Sequence, residues 1–347
     1  MKYIDGATPP WGNNCNPMTN VYDCERSATF FWLVVIAHIM NALGIIIGAY
    51  VIWYRRKKGI AKGLFYRAGD YCWLPNPIDS LVIVGTAATV IRLIHFTMIL
   101  TDWPKSFTVR NLIMVFTITM PIQAILLFIA GIIAHIPSSF IRSSRVKQEN
   151  YGAVYMVVPG SKKLSWAIIV FALAYSVVDQ PMSIWMGISE DTGRFDQYEL
   201  AYTIAIGFSS IYLAVLGSVS VYYWLGFRRI MRHLIDLLEE RNKDTEENKA
   251  QQVAATRFLT IFRYLTLYIV IIAPATASAI WMQNKTLNDP NSNIMSFSAQ
   301  YIVFYPLFLI FIFWQLRTSS FERVRQRDRG QVAGKEPITP QKYSDIS

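Results

Sequence analysis

The sequence predicts an all-α protein: a bundle of seven transmembrane helices, N-terminus outside and C-terminus in the cytosol. Three observations carry that reading. Of the 347 residues, 53% are hydrophobic and only 16% charged, whereas soluble domains average about 45–50% apolar and about a quarter charged. The apolar residues are gathered into seven blocks, each long enough to cross the ~30 Å of bilayer hydrocarbon, which takes roughly 20 helical residues. Lys and Arg, finally, are abundant in every second connection and scarce in the others, the asymmetry that orients membrane helices.

The predicted spans lie at 28–54, 78–101, 111–136, 164–188, 201–226, 258–282 and 297–316. None alternates in the two-residue period of a strand, and only helices or closed barrels satisfy every backbone group in lipid. Residues 1–27 form an N-terminal tail. It lacks the basic start and apolar core of a cleavable signal peptide, so the first span is expected to act as its own insertion signal. The Arg55-Arg56-Lys57-Lys58 cluster holds that span in orientation.

The net charge of +10 is spread along one side of this topology. Of 33 Lys and Arg, 25 follow the first, third, fifth and seventh spans, six lie in the tail and the other three connections, and Arg92 and Arg263 lie within spans. Such a distribution points to a lipid bilayer as partner, not a nucleic acid. The only Asn-x-Ser/Thr sequon, Asn284-Lys285-Thr286, falls in the third outer loop, which makes Asn284 a candidate glycosylation site. The outer loop around Glu190, Asp191, Asp196 and Glu199 is acidic. The outer sequon and the outward N-terminus favour the plasma membrane.

Cys15 and Cys24 share the outer tail with eight residues between them, where a disulfide persists. Two free thiols are the alternative. Cys72 precedes the second span on the cytosolic side. In the third inner loop, 227–257, Ile230, Leu234, Leu237 and Leu238 recur at helical spacing, so the fifth helix is expected to continue past the membrane. Lys243 to Lys249 reads as an exposed turn. Within the cytosolic tail, 317–347, the stretch from Arg317 to Arg329 sets Phe321 and Val324 among arginines, the pattern of a short basic helix lying on the anionic leaflet.

Ionisable groups inside spans are expensive and mark functional sites by default. Arg92 lies 14 residues from the inner start of the second span and Asp179 lies 15 from that of the fourth, so both are about 21–22 Å above the inner face. Equal depth and opposite charge predict a pair, or two poles of one wet cavity. Thr89, Arg92 and His95 share a helix face, while Ser176, Asp179, Gln180 and Ser183 form a second polar patch. With Gln123 they make a candidate ligand site in the outer half of the bundle. The plainer reading has Arg92 snorkelling outward and Asp179 locking two helices, with His38, Asn41 and Gln123 as interhelical hydrogen bonders. Pro121, Pro181, Pro274 and Pro306 interrupt four spans, and Pro274 is the candidate hinge.

Several chemistries are disfavoured. The seventh span holds no lysine for a retinal Schiff base. Among the four histidines, His38, His95 and His135 lie in three different spans and His233 in an inner loop, without the paired spacing of metal ligands. No catalytic residue, metal or cofactor is expected, and the chain is not read as an enzyme.

Seven spans, an outer N-terminus, Pro274 in the sixth span and a basic segment after Leu316 resemble the G-protein-coupled receptors. The resemblance lies in topology, because the third span ends Ala134-His135-Ile136-Pro137-Ser138 with no Asp-Arg-Tyr, and Tyr305-Pro306 is not part of an Asn-Pro-x-x-Tyr motif. It implies an extracellular ligand that shifts a conformational population and opens an inner cleft between the third, fifth and sixth helices. A heterotrimeric G protein would enter there, facing Arg142, Arg145, Arg228, Arg229, Arg232 and Arg257. The alternative is a small-solute or ion transporter or channel using Arg92 and Asp179 as its midplane site.

Overall fold

The computed structural model describes residues 15–16, 19–22, 24–59, 61, 63–67, 73–136, 158–241, 256, 259–271, 274, 294 and 298. Five long helices form the bundle: α1 (Ser27–Lys57), α2 (Pro77–Leu100), α3 (Phe107–Ala134), α4 (Ser161–Asp191) and α5 (Phe195–Arg241). A shorter apolar helix, α6 (Leu259–Ile271), follows. The five long helices each have the length and composition to cross a bilayer, and they fit an integral, multi-pass membrane protein. They correspond to the first five predicted spans, and α6 lies within the sixth. The seventh span lies outside the described residues apart from Ser298.

The lipid-facing surface follows from where the apolar residues sit. On α1, Phe30, Val34, Ala37, Asn41, Gly44, Gly48 and Val51 make one buried stripe. The opposite stripe is not polar, as it would be in water, but carries Trp32, Ile36, Ile39, Leu43, Ile46, Tyr50 and Trp53, all exposed. Helix α3 is different. Its buried residues run round most of its circumference, from Phe107 and Arg110 to Ile132 and Ile133, because it packs against α2 on one side and α4 on the other. It also touches α5 and sets Phe128 edge-on to Phe262 of α6, ring centroids 6.1 Å apart.

Close approach is achieved by glycines, since lipid supplies no hydrophobic drive between helices and small residues let backbones meet. Gly44 and Gly48, a G-x-x-x-G pair, lie against Thr89 and Thr86 of α2. Gly187 of α4 meets the backbone of Thr108, and Gly131 of α3 meets the backbone at Pro75 and Pro77. Gly193, at φ 71°, ends α4 in a Schellman turn: its N–H donates to Glu190 O at 3.3 Å and that of Arg194 to Ser189 O at 2.8 Å. Helix α5 then begins at once.

Two features depart from the expectation. The first inner connection holds a two-stranded antiparallel hairpin, β1 (Phe65–Arg67) with β2 (Trp73–Pro75), in the register Phe65↔Pro75. Three-residue strands are too short to show a period. The acidic outer loop around Glu190 is not a loop: Glu190 and Asp191 are the last residues of α4, and only 192–194 separate α4 from α5. Helix α5 does continue beyond its predicted span, to Arg241. Pro121 and Pro181 leave α3 and α4 unbroken.

Substitution of Gly187 by Ala would drive a Cβ into the Thr108 backbone, whereas a Cβ at Gly207 meets nothing within 4 Å. G187A is expected to destabilise by about 1–3 kcal/mol through overpacking. G207A should stabilise α5 by about 0.5–1 kcal/mol. Thermal melting of the purified variants in detergent checks both signs.

Candidate functional site

The densest polar network lies at the end of the bundle that carries the N-terminal tail. Cys15 and Cys24 are joined by a disulfide, Cα atoms 5.0 Å apart, so the loop between them closes on itself. Within it Asn16 O accepts from Thr19 N at 3.0 Å and from Asn20 N at 2.7 Å. Cys15, Thr19, Asn20 and Val21 are buried. The loop packs with Phe30, Val34, Phe96 and Ile99 of α1 and α2, while Tyr22 Oη donates to Leu100 O. Burial pushes the Tyr22 phenol above its ordinary value; Asp102 adds to the rise and Arg110 opposes it. The hydroxyl therefore stays protonated and keeps donating.

Thr19 is held from both sides. Its carbonyl accepts from Nη1 of Arg110 at 2.5 Å, and its hydroxyl donates to Oε1 of Glu190 at 3.0 Å. Arg110 is fully buried, and its other donors go to Pro104 O at 2.8 Å and to Oδ1 of Asp102 at 2.7 Å. Its three nitrogens thus tie the tail, the α2–α3 connection and α3 together. The other oxygen of Glu190 accepts from Nδ2 of Asn111 at 2.9 Å.

The neighbouring Asp191 caps α3 from another helix. Ser106, at the N-cap position, makes no side-chain cap of its own. Instead Asp191 accepts from Phe107 N at 2.7 Å, Thr108 N at 3.0 Å, Thr108 Oγ1 at 2.6 Å and Ser106 Oγ at 2.9 Å. A carboxylate there satisfies orphan N–H groups and meets the positive end of the α3 dipole. None of Thr19, Arg110, Asn111 or the α4 end belongs to the site expected from the sequence. Hydropathy places Arg110 in a loop because the predicted third span starts at 111; the helix begins one turn earlier.

The sequence-derived polar layer lies deeper and is divided by α3. Arg92 is buried on α2 and donates from Nη2 to Thr117 O at 3.0 Å. That carbonyl is the i−4 acceptor of residue 121, which is Pro121 and has no N–H to give. Arg92 thus replaces the bond that Pro121 removes. His95 is fully buried on the same face. On the far side, Asp179 of α4 accepts from Thr119 Oγ1 at 3.1 Å, and Gln123 Nε2 donates to Ala172 O at 3.3 Å. With the Asn111–Glu190 bond these make three rungs of an α3–α4 seam. Gln180 is half-buried. Among the described residues no ion pair joins Arg92 to Asp179. Their partners Thr117 and Thr119 are near in depth but about 200° apart round α3, at about 100° per residue.

At the opposite, basic end, Arg229 and Arg232 are exposed on α5 and Arg228 is half-buried, 5.7 Å from the Trp224 ring centre. Pro274 is helical and exposed. Arg142, Arg145, Arg257 and Asn284 lie outside the described residues. Two cavities among the described residues lie away from the polar layer. One is a groove between α5 and α6 lined by Leu213, Gly217, Val221 and Val270, and the other lies beside Arg55. No group of three or more His, Cys, Asp and Glu is placed to hold a metal ion among the described residues.

The Arg92 bond and the disulfide loop can each be tested. In the Pro121→Ala background the new residue supplies its own N–H to Thr117 O, so R92Q should destabilise that background by about 1 kcal/mol less than it does the parent. Additive effects in the double-mutant cycle would separate Arg92 from the Pro121 gap. Replacing Cys15 and Cys24 by Ser removes a loop constraint of about 2–3 kcal/mol. Hydrogen exchange across 15–26 should then speed up, while the α3–α4 seam keeps its protection.

The arrangement finds no counterpart in the comparisons: no family model, curated protein or solved structure matches the chain.

Proposed function

We propose that the chain is a seven-helix receptor of the G-protein-coupled type, probing the outside with its tail end and a heterotrimeric G protein with its basic end. The observation that carries this reading is the construction of α5. Only three residues separate it from Glu190 and Asp191, the latch that holds the tail and caps α3, and it runs unbroken for 47 residues, about 70 Å at 1.5 Å per residue. Its far end passes the predicted inner boundary at 226 and displays Arg229 and Arg232 to solvent. One rigid rod thus joins the tail network to a basic surface outside the bilayer.

In this reading the tail is outside, as the Lys and Arg asymmetry orients it. An extracellular ligand acts by preferring one arrangement of the tail-end network over another, since only differential affinity shifts a conformational equilibrium. The arginines of α5, with Arg142, Arg145 and Arg257, supply the positive surface for the G protein. The ligand contacts proposed from the sequence form two patches deeper in the bundle, Arg92 and His95 on the α2 side of α3 and Gln123, Asp179 and Gln180 on the α4 side. Pro274 is the proposed hinge, and the plasma membrane the proposed location.

Affinity purification from native membranes, with and without apyrase, tests the reading. A receptor holds its G protein most tightly when nucleotide is removed, so apyrase should enrich the heterotrimer. The R228E/R229E variant should reach the surface and lose at least tenfold of that enrichment. Undiminished enrichment removes the contact from α5, and no heterotrimer under either condition moves the weight to the transporter alternative.

A further inference from the structure

The basic end holds a second polar site, unrelated to the latch and independent of G-protein coupling. A cavity of about 130 Å³ opens between the last turns of α1 and the first turns of α2, with Arg55, Arg56, Asp79, Ile52, Val82 and Ile83 among its lining residues. Arg55 is buried and sits side-on to Asp79, with Nε at 2.8 Å and Nη2 at 2.7 Å from Oδ1. Its third nitrogen, Nη1, is buried without any hydrogen-bond partner. A guanidinium does not lose its proton in a protein, so a cation with an unmet donor is packed behind the cavity wall, and the exposed Arg56 lines the same cavity. Asp79 offsets one of the two arginine charges and leaves the site net positive.

The surroundings say which anion. The exposed rings of Tyr50 and Trp53 lie on the outer face of the same turns of α1, with Lys57 Nζ 4.9 Å from the Trp53 ring centre. Such rings gather at headgroup level. An anion there meets both arginine and aliphatic side chains, the mixed chemistry of a phosphate carrying a greasy substituent. Arginine presents planar, directional donors suited to phosphate oxygens. We infer that the Arg55–Arg56 cavity binds a phosphate group, with one arm of Arg55 committed to Asp79 and Arg56 completing the clamp.

The source of the phosphate, a phospholipid headgroup or a free anion, is separated by thermal melting and native mass spectrometry of the purified full chain in detergent. Dioleoylphosphatidylglycerol should raise the melting temperature by several degrees and leave one retained lipid, with dioleoylglycerol, which carries no phosphate, weaker by at least tenfold. If inorganic phosphate at millimolar concentration gives the same stabilisation, the ligand is the free anion; if it gives none, it is the headgroup. R56Q should weaken binding by about tenfold. Because R55Q alone strands Asp79, the R55Q/D79N pair is the second variant and should abolish retention. K57Q, beside the exposed Trp53 ring, should bind as the parent does. Equal binding of both lipids without any phosphate effect, or parental binding by R56Q and by R55Q/D79N, overturns the inference.

Discussion

The hydrogen bond from Arg92 to the carbonyl of Thr117 embodies the constraint on which the rest of the bundle depends: in lipid, every backbone group must find its partner inside the protein. Pro121 removes one such partner from the middle of α3, and a charged side chain from α2 restores it. A hydrogen bond with an ionised donor contributes about 1.5–3 kcal/mol, and leaving the carbonyl bare would forfeit comparable energy. The pairing therefore fixes the rotation of α2 about its axis as well as its distance from α3. The face that carries Arg92 also carries Thr89 and His95, and all three are buried.

The same rule orders the other side of α3. Asn111, Thr119 and Gln123 recur at i, i+8 and i+12, so they lie along one face, and they meet Glu190, Asp179 and the Ala172 carbonyl of α4. Each rung places a polar group where the alternative is hydrocarbon. Glycine at 187 lets the backbones close between the upper rungs, against Thr108. Helix α3 is therefore locked on both flanks, by Arg92 from α2 and by the seam from α4. The exposed apolar stripes of α1 and α4 are left to lipid.

Depth is legible in the sequence and azimuth is not. Counting residues from the span ends places Arg92 and Asp179 at one level, and their partners Thr117 and Thr119 are indeed only two residues apart. That the two charges face opposite sides of α3 depends on packing order, which hydropathy does not encode. The disulfide is legible as one of two choices because two cysteines share a short tail, and its closure is seen directly. Arg110 and Glu190 are hidden by hydropathy itself: charges at helix ends lower the local average, so the predicted spans stop short of them. The signal available is Ser106 followed by Arg110 and Asn111, a polar first turn on an otherwise apolar helix. The G-x-x-x-G of α1 is equally readable, and its partners on α2 are not.

The tail-end network concentrates its leverage in two adjacent residues. Glu190 grips the tail through Thr19 and α3 through Asn111; Asp191 caps α3 through Phe107 and Thr108. Both sit in the last turn of α4, where the Schellman turn at Gly193 leaves only three residues before α5. A connection so short, with both of its capping bonds made, transmits rotation instead of absorbing it. Displacing the disulfide loop would take the Thr19 carbonyl from Arg110, a hydrogen bond of about 1.5–3 kcal/mol with its ionised donor, and the Thr19 hydroxyl from Glu190, while Asp102, Pro104 and Asn111 stay in place. The helix ends would be driven to regroup around what replaced it. A shift of a two-state equilibrium from 1:99 to 99:1 takes about 5.5 kcal/mol, so these bonds supply part of that energy and new contacts of the ligand supply the rest. On the proposed reading, a ligand therefore need not reach the centre of the membrane. Competing with the tail for Arg110 and Glu190 is enough to bias α5, whose other end lies beyond the bilayer.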